Sequence, residues 1–493
     1  MRIGFKVFLS SSVAIIALVI FIYLNPTSVI TLKIKSIAPA WAKQVFREAF
    51  FFRPDARNKI FSLEKKTKEY EVIIRRLSES LSKQTIKTAV QKDESIQLNK
   101  TSISLEHGLK LSTYPLPLVS YLYNDKAVGY IDQSENNLFI ISGTGHSFYV
   151  DKEDLGNEFL SLNIVKNNLN QIIDDMFFFD TQKKIHQDSN VISVKDILIT
   201  QDGLLLSYTK ELTSGCYNTS IINSKISTKE LVFNDLFIPK ACVSPTMLED
   251  IIMSGGRMEP YLNNSILFTV GDYRQWSEAQ NIDSILGKIL ELNIQTLDYK
   301  IFSLGHRNPQ GLMVDNETLN IFSSEHGPVG GDEINIIKKN SNYGWPIASY
   351  GDMYADMGYT KEEKLKAPML KSHKKYSLHE SNGFEEPLFT ASRYRNDYKK
   401  LFNIGFDQEN GLSEIERIPN TSSFSILGDL LVTSMQQRTM YFFRLSTDQQ
   451  KIISATKIPF PDRVRDIIYV KEKDVFALIL EKDALLGILE LEL

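Results

Sequence analysis

The chain has 493 residues, 43% of them hydrophobic, enough for one large core or two domains. A net charge of −4 gives no global basic surface, so no nucleic-acid partner is expected. The charge is unevenly placed: residues 1–100 carry 18 Lys and Arg against 8 Asp and Glu, the remainder 38 against 52. A basic beginning of this kind suits a position beside anionic lipid.

Residues 5–24, "FKVFLSSSVAIIALVIFIYL", hold one charge, near their start. Twenty helical residues at about 1.5 Å each span roughly 30 Å, the hydrocarbon thickness of a bilayer. A cleaved signal peptide would have a shorter apolar centre and a small-x-small site, which "YLNPTS" lacks. An uncleaved transmembrane signal anchor over residues 1–25 is therefore expected. Lys33, Lys35, Lys43 and Arg47 follow the span and favour the cytoplasm. Long downstream domains translocate largely regardless of charge, so the flanks leave orientation open.

Residues 26–101 read as membrane-proximal helices and a linker. Trp41, Val45, Phe46 and Phe50 fall at helical spacing and could lie along the membrane interface or pack on the main domain. Ile60, Leu63, Thr67, Tyr70, Ile74, Leu77 and Leu81 alternate steps of three and four. That seam makes 57–83 either a self-association helix or one helix docked on the globular domain. Residues 84–101 read as a polar linker.

From residue 102 the texture changes to short β segments, and 28 Phe, 21 Tyr and 25 Gly agree with β-structure and tight turns. A turn-then-strand unit recurs: "NNLFIISGTG" (136–145), "DGLLLSYTK" (202–210), "NNSILFTVGD" (263–272), "ETLNIFSSEHG" (317–327), "LGDLLVTSM" (427–435) and "KDVFALILEK" (473–482). Six such units suit propeller blades better than a sandwich, which makes 102–493 an all-β six-bladed β-propeller. The wide gap after the fourth unit, 345–415, reads as an elaborated loop region. Polar residues beside the repeated strands would converge on a central funnel. Cys216 and Cys242 are the only cysteines, and they form either one disulfide in an oxidising compartment or two buried thiols.

The segment "LGHRNPQGL" (304–312), followed by "SSEHGPVGGDEINIIKKNSNYGWP" (323–346), resembles the signature region of the soluble pyrroloquinoline-quinone (PQQ) sugar dehydrogenases, the glucose, aldose-sugar and sorbosone dehydrogenases. "GGRM" (255–258), "GDYRQWSEAQNIDSILGKIL" (271–290) and "RVRD" (463–466) follow in the family's order. The resemblance runs from about residue 200 to the C-terminus, with 345–425 poorly matched, and it too implies a six-bladed β-propeller. PQQ carries three carboxylates and an electrophilic carbonyl, so the site needs cations, a polarising group and a base.

The resemblance implies that Arg307 and Asn308 stand by the quinone as catalytic groups, with Arg307 stabilising charge on its carbonyl oxygen. It also places Arg463 and Arg465 at the cofactor. Residues two apart on a strand share a face, so both guanidinium groups could enter one pocket. Gly327 and Pro328 match the pair whose backbone carbonyls help hold calcium, an ion that prefers oxygen ligands. Asp332 and Glu333 add nearby carboxylates, their ordinary role being to bond turn backbone. His306 and His326 come with the motif and read as structural.

Two positions depart from the pattern. Met253 stands where the family's base histidine is expected, and a thioether cannot take a proton at physiological pH. Gln436 stands where a cofactor-contacting lysine is expected. His146 and His379 are substitutes by residue type only, and each reads more simply as a loop or core histidine. The expected function is a membrane-anchored, PQQ-dependent aldose-sugar dehydrogenase, periplasmic or extracellular, acting on a sugar or polyol, with activity in doubt at Met253. The alternatives are a non-catalytic carbohydrate- or quinone-binding propeller and an assembly protein.

Overall fold

The computed structural model describes residues 81, 85–86, 95–117, 129–143, 145–172, 194–213, 215–244, 251–328, 330–351, 379–391 and 411–492. The expected anchor over 5–24 lies outside these residues, as do the 38–52 helix and, apart from Leu81, the 57–83 seam. Among the described residues, no helix is long and apolar enough to cross a membrane.

Among the described residues, six sheets form the six blades of a β-propeller, antiparallel apart from a short parallel pairing of Glu230–Leu231 with Lys166 and Asn167. Blade 1 contains Gly129–Gln133, Asn137–Ser142, Ser147–Asp151 and Phe159–Asn167; blade 2 contains Val194–Thr200, Gly203–Thr213, Cys216–Ser224 and Asn234–Phe237. Blade 3 contains Gly255–Tyr261, Ser265–Val270, Lys288–Asn293 and Tyr299–Leu304; blade 4 contains Pro309–Val314, Ile321–Glu325, Glu333–Ile337 and Phe389–Thr390. Blade 5 contains Leu412–Arg417, Leu430–Ser434, Thr439–Leu445 and Ile452–Pro459. Blade 6 combines Val464–Val470, Val475–Leu480 and Leu485–Leu491 with Leu109–Pro115 and Thr101–Ser104 from the other end of the chain.

Each of the six recurring sequence units falls on the second strand of a different blade. The reason is packing. A second strand is covered on both faces by neighbouring blades, so Ser265–Val270 and Val475–Leu480 are buried at every position and read as continuous apolar runs. The polar residues before each run form the hairpin turn. Asn263 and Asn264 both take φ 57°, the left-handed region that asparagine tolerates in tight hairpins.

Leu109–Pro115 pairs along its whole length with Leu485–Leu491, which closes the ring and leaves neither strand as a free inner edge. The first strand of every blade contacts the first strand of the next, and Val464–Val470 returns to Gly129–Gln133. The core is a set of apolar layers between blades. Between blades 3 and 4, for example, Leu267, Ile289 and Phe302 pack with Leu312, Ile321 and Ile337.

One expectation needs correction. Within the supposed linker 84–101, Ile96–Asn99 pairs with Phe159–Leu162 of blade 1, and Thr101 opens a strand of blade 6. The polar look arises because these are outer strands: Leu98 is the one fully buried residue of Ile96–Asn99, and Thr101–Ser104 is exposed throughout. Cys216 and Cys242 form a disulfide, beside the bridge between Tyr217 and Val243.

Candidate functional site

The first strand of each blade lines the central channel, so residues just before those strands gather at one mouth. The turn between second and third strands reaches the same face, because the chain runs down one strand and up the next. Met253, His306–Asn308 and Arg463 belong to the first group; His146, His326–Pro328 and Gln436 belong to the second.

Short hydrogen bonds stitch these loops together. Gly255 N–H donates to Asn308 Oδ1 (3.1 Å), and Asp272 N–H donates to the Arg307 carbonyl (2.8 Å). Tyr273 N–H donates to the Met253 carbonyl (3.0 Å), and His326 N–H donates to the Asn308 carbonyl (3.1 Å). The backbone of Met253 thus lies against the loop that carries Arg307 and Asn308, and its side chain is half-buried.

Arg307 and Asn308 are buried, 6% and 3% exposed, although a solvated turn of this composition would be open. The Arg307 guanidinium lies over the Trp345 ring at 5.4 Å, and Nη1 donates to the carbonyls of His326 (2.9 Å) and Gly327 (2.8 Å). Trp345 Nε1–H in turn donates to Asp272 Oδ2 (2.7 Å). Burial pushes the Asp272 carboxyl up to about 6 even with Arg307 nearby.

Arg463, just before blade 6's first strand, and Arg465, the second residue of that strand, share one partner. Both donate through Nε to Glu481, a carboxylate with no solvent exposure; for Arg463 the distance is 2.8 Å. Arg463 Nη1 also donates to the Met435 carbonyl (3.2 Å), which places the exposed Gln436 beside the arginines. His326 registers all these charges. Burial first, then Arg307, Arg465 and Arg463, push its imidazole down to about 3. Its Nε2 is buried with no hydrogen-bond partner among the described residues. A neutral imidazole among three guanidinium groups, with Glu481 engaging two of them, marks a positive mouth.

That donor set fits the three carboxylates of PQQ. Calcium is a different matter. The Gly327 carbonyl accepts from Arg307 Nη1 and the Pro328 carbonyl from Gly331 N–H (2.9 Å). Asp332 accepts from Gly327 N–H (3.0 Å) through one oxygen and from Gly411 and Leu412 N–H through the other, the turn-bracing role expected of it. Glu333 is buried, and Asn335 donates to it. Among the described residues, no cluster of three or more His, Cys, Asp or Glu could hold a metal. A cation at the Gly327 oxygen would also meet a guanidinium, so these residues alone do not fit calcium.

The other histidines have structural surroundings. His306 is fully buried, bonded to Ser303 Oγ (2.8 Å) and Glu325 (3.0 Å) and stacked on Tyr343. His379 is buried and stacked on Tyr350. His146 lies in the blade 1 turn, its N–H donating to Ser142 Oγ (3.0 Å).

Sequence reasoning missed four participants: Lys195, Glu481, Trp345 and Arg257. Lys195 is the second residue of blade 2's first strand. Burial, then the charge of Arg465, lowers its amine to about 7. Arg257 sits deeper in the channel and bonds Asp196, Glu414 and Asp466 from three other blades. Below this cluster the opposite mouth opens as a cavity of about 380 Å³, lined by Asp132, Glu259, Asp315 and Glu416 among others. Trp345 and Arg257 lay within quoted motifs and could have been suspected; Glu481 joins the site only across the sheet of blade 6, and Lys195 only through the packing of neighbouring blades.

Residues 201–381 match the glucose/sorbosone dehydrogenase family model. Aldose sugar dehydrogenase YliI of Escherichia coli is 35% identical over 114 residues, 20% of this chain and 31% of the relative. Quinoprotein glucose dehydrogenase B of Acinetobacter calcoaceticus is 39% identical over 98 residues, 17% of this chain and 20% of the relative. The matched stretches therefore span under a third of these curated relatives. The fold likeness extends further. A solved glucose dehydrogenase aligns with a TM-score of 0.54 at 18% identity, over 80% of this chain and 99% of its own. The apo soluble aldose sugar dehydrogenase of Escherichia coli aligns with a TM-score of 0.53 at 16% identity, over 80% and 100%. The family block runs from blade 2 through blade 4, and over that stretch the chain is similar to the glucose/sorbosone dehydrogenases.

Proposed function

We propose that this propeller is a membrane-anchored, PQQ-dependent aldose-sugar dehydrogenase that works outside the cytoplasm. The observation that carries the reading is the mouth itself: Arg307, bonded to the His326 and Gly327 carbonyls, and Arg463 and Arg465, joined through Glu481, gather there around the buried His326. PQQ, when bound, supplies a hydride-accepting quinone carbonyl together with three carboxylates. Arg463 and Arg465, braced by Glu481, would hold carboxylate groups. Arg307 would offset negative charge at the carbonyl, while Asn308 keeps the Gly255 loop in register with it. The apolar 5–24 segment supports the anchor, and the Cys216–Cys242 bridge agrees with an oxidising compartment.

Met253 favours a second reading, a propeller that binds the quinone or a sugar without oxidising it. A positioned base contributes about 10²–10⁴-fold, so its loss alone could silence the site. The deciding experiment uses the full chain in detergent with PQQ, calcium and an aldose, and follows dye reduction. Dye reduction by the unmodified chain, or by Met253→His, supports the dehydrogenase reading. PQQ binding with no turnover in either protein supports the second.

A further inference from the structure

We infer that Lys195 is the proton acceptor of this site, taking the part that Met253 cannot play. The inference rests on the quinone-dependent reading above and adds the residue that reading lacks. Lys195 enters at the head of blade 2's first strand, on the mouth face of the channel. Its side chain crosses to blade 3: a Cβ on Gly256 would lie 2.4 Å from Lys195 Cβ and 3.1 Å from its Cγ. Gly256 is the third residue after Met253 and takes φ 114°, so the glycine makes room for the lysine stem. Met253 and Lys195 therefore converge on one segment of the mouth from adjacent blades.

The surroundings suit the role. Arg465 of blade 6 is the cation whose charge reaches the amine, and with burial it lowers the amine to about 7. The other titratable groups on these first strands are Arg257, paired with Asp196 and Asp466, Tyr130, beneath the Arg257 guanidinium, and Asp132 and Glu259, which line the opposite mouth. A desolvated amine of this kind is neutral in a large fraction near pH 7 and still basic enough to take a proton. In the step itself the sugar O–H bond breaks and its proton passes to the Lys195 amine, which becomes an ammonium. The C–H bond on the same carbon breaks with its electron pair, which leaves as hydride to the quinone, and a C=O bond forms. The sugar is oxidised by two electrons and the quinone reduced by two.

Two readouts test this on the full chain. In the first, competitive labelling of amines on the cofactor-free protein, read by mass spectrometry, follows the Lys195 peptide against pH. The expected midpoint is near 7, whereas ordinary lysines react with one of about 10.4. In the second, the PQQ-loaded chain is assayed with an aldose. Lys195→Gln and Lys195→Arg should each lose about 10²-fold or more in turnover while PQQ affinity changes little, and Met253→His in the Lys195→Gln background should restore it. A Lys195 midpoint like that of other lysines, or full turnover in Lys195→Gln, overturns the inference and leaves the cofactor reading standing. PQQ binding without turnover in the unmodified chain also overturns it, and absence of PQQ binding removes both.

Discussion

Arg257 is the most consequential ion-pairing residue in the channel, and Arg257→Met should destabilise the whole ring. Its Nη1 lies 2.7 Å from Asp466 and 3.1 Å from Asp196, and its Nη2 lies 2.7 Å from Glu414. Nε donates to the Gln310 carbonyl (2.7 Å) and Nη2 to that of Arg465 (3.0 Å). One side chain thus ties blades 2, 3, 4, 5 and 6 together, and Arg257 and its three charged partners are each at most 8% exposed. Methionine has similar length but leaves three buried carboxylates with backbone donors only: Met258 N–H on Asp196, Ile131 N–H on Asp466 and Ile415 N–H on Glu414. Breaking a buried pair costs about 3–5 kcal/mol, and proton uptake by the orphaned acids keeps the total near that range rather than at three times it. For a domain of this size, at about 2.1 cal/mol/K per residue, the melting temperature should fall by roughly 4–6 °C. Calorimetry or circular dichroism at pH 7 measures this, and the loss should grow at pH 9, where the acids cannot take up protons. Adding Asp466→Asn to Arg257→Met should recover part of the loss. A fall under about 1 kcal/mol, or no recovery in the double variant, would refute the idea that Arg257 is the electrostatic hub.

Burial raises Asp132 to about 7 and Glu416 to about 8, so the folded chain binds protons that the unfolded chain has released. Their stabilisation is complete below the unfolded carboxylate pKa of about 4 and is lost as pH rises through 7 to 8. His326, lowered to about 3, opposes this only below about 6.5, and the lowered Lys195 and Lys288 oppose it only above about 7. The melting temperature should therefore fall between pH 6 and 7.5, and Asp132→Asn with Glu416→Gln should flatten the profile; a rising curve contradicts the assignment. Reducing Cys216–Cys242, which are 26 residues apart in sequence, should cost about 3–4 kcal/mol by loop-closure entropy. A melting temperature insensitive to reductant would show that the bridge does not constrain the unfolded chain.

The blade pattern was legible because a strand buried on both faces must be apolar throughout, and "SILFTV" or "VFALIL" shows that without any knowledge of neighbours. The outer strand Ile96–Asn99 was not, because an edge strand with one buried residue looks like a linker. In the site, Arg307 and Asn308 are named by the resemblance of "LGHRNPQGL", and Arg463 and Arg465 by that of "RVRD". Glu481, which braces both arginines, sits in an otherwise unremarkable "LILEK" and reaches them only across the sheet of blade 6. Lys195 is equally silent in "VKDILIT". Its meaning depends on Gly256, 61 positions away in sequence, giving it space. Local chemistry shows in a sequence, whereas partnerships made across a sheet or between blades do not.

The central claim is that the mouth binds a tricarboxylate quinone, and PQQ titration of the full chain tests it most directly. Quenching of tryptophan fluorescence, with Trp345 beneath Arg307, gives the signal. Saturable binding is expected, weakened at least about tenfold when Arg463→Gln and Arg465→Gln remove both guanidinium groups. No binding by the unmodified chain, or equal affinity in the double variant, would contradict it.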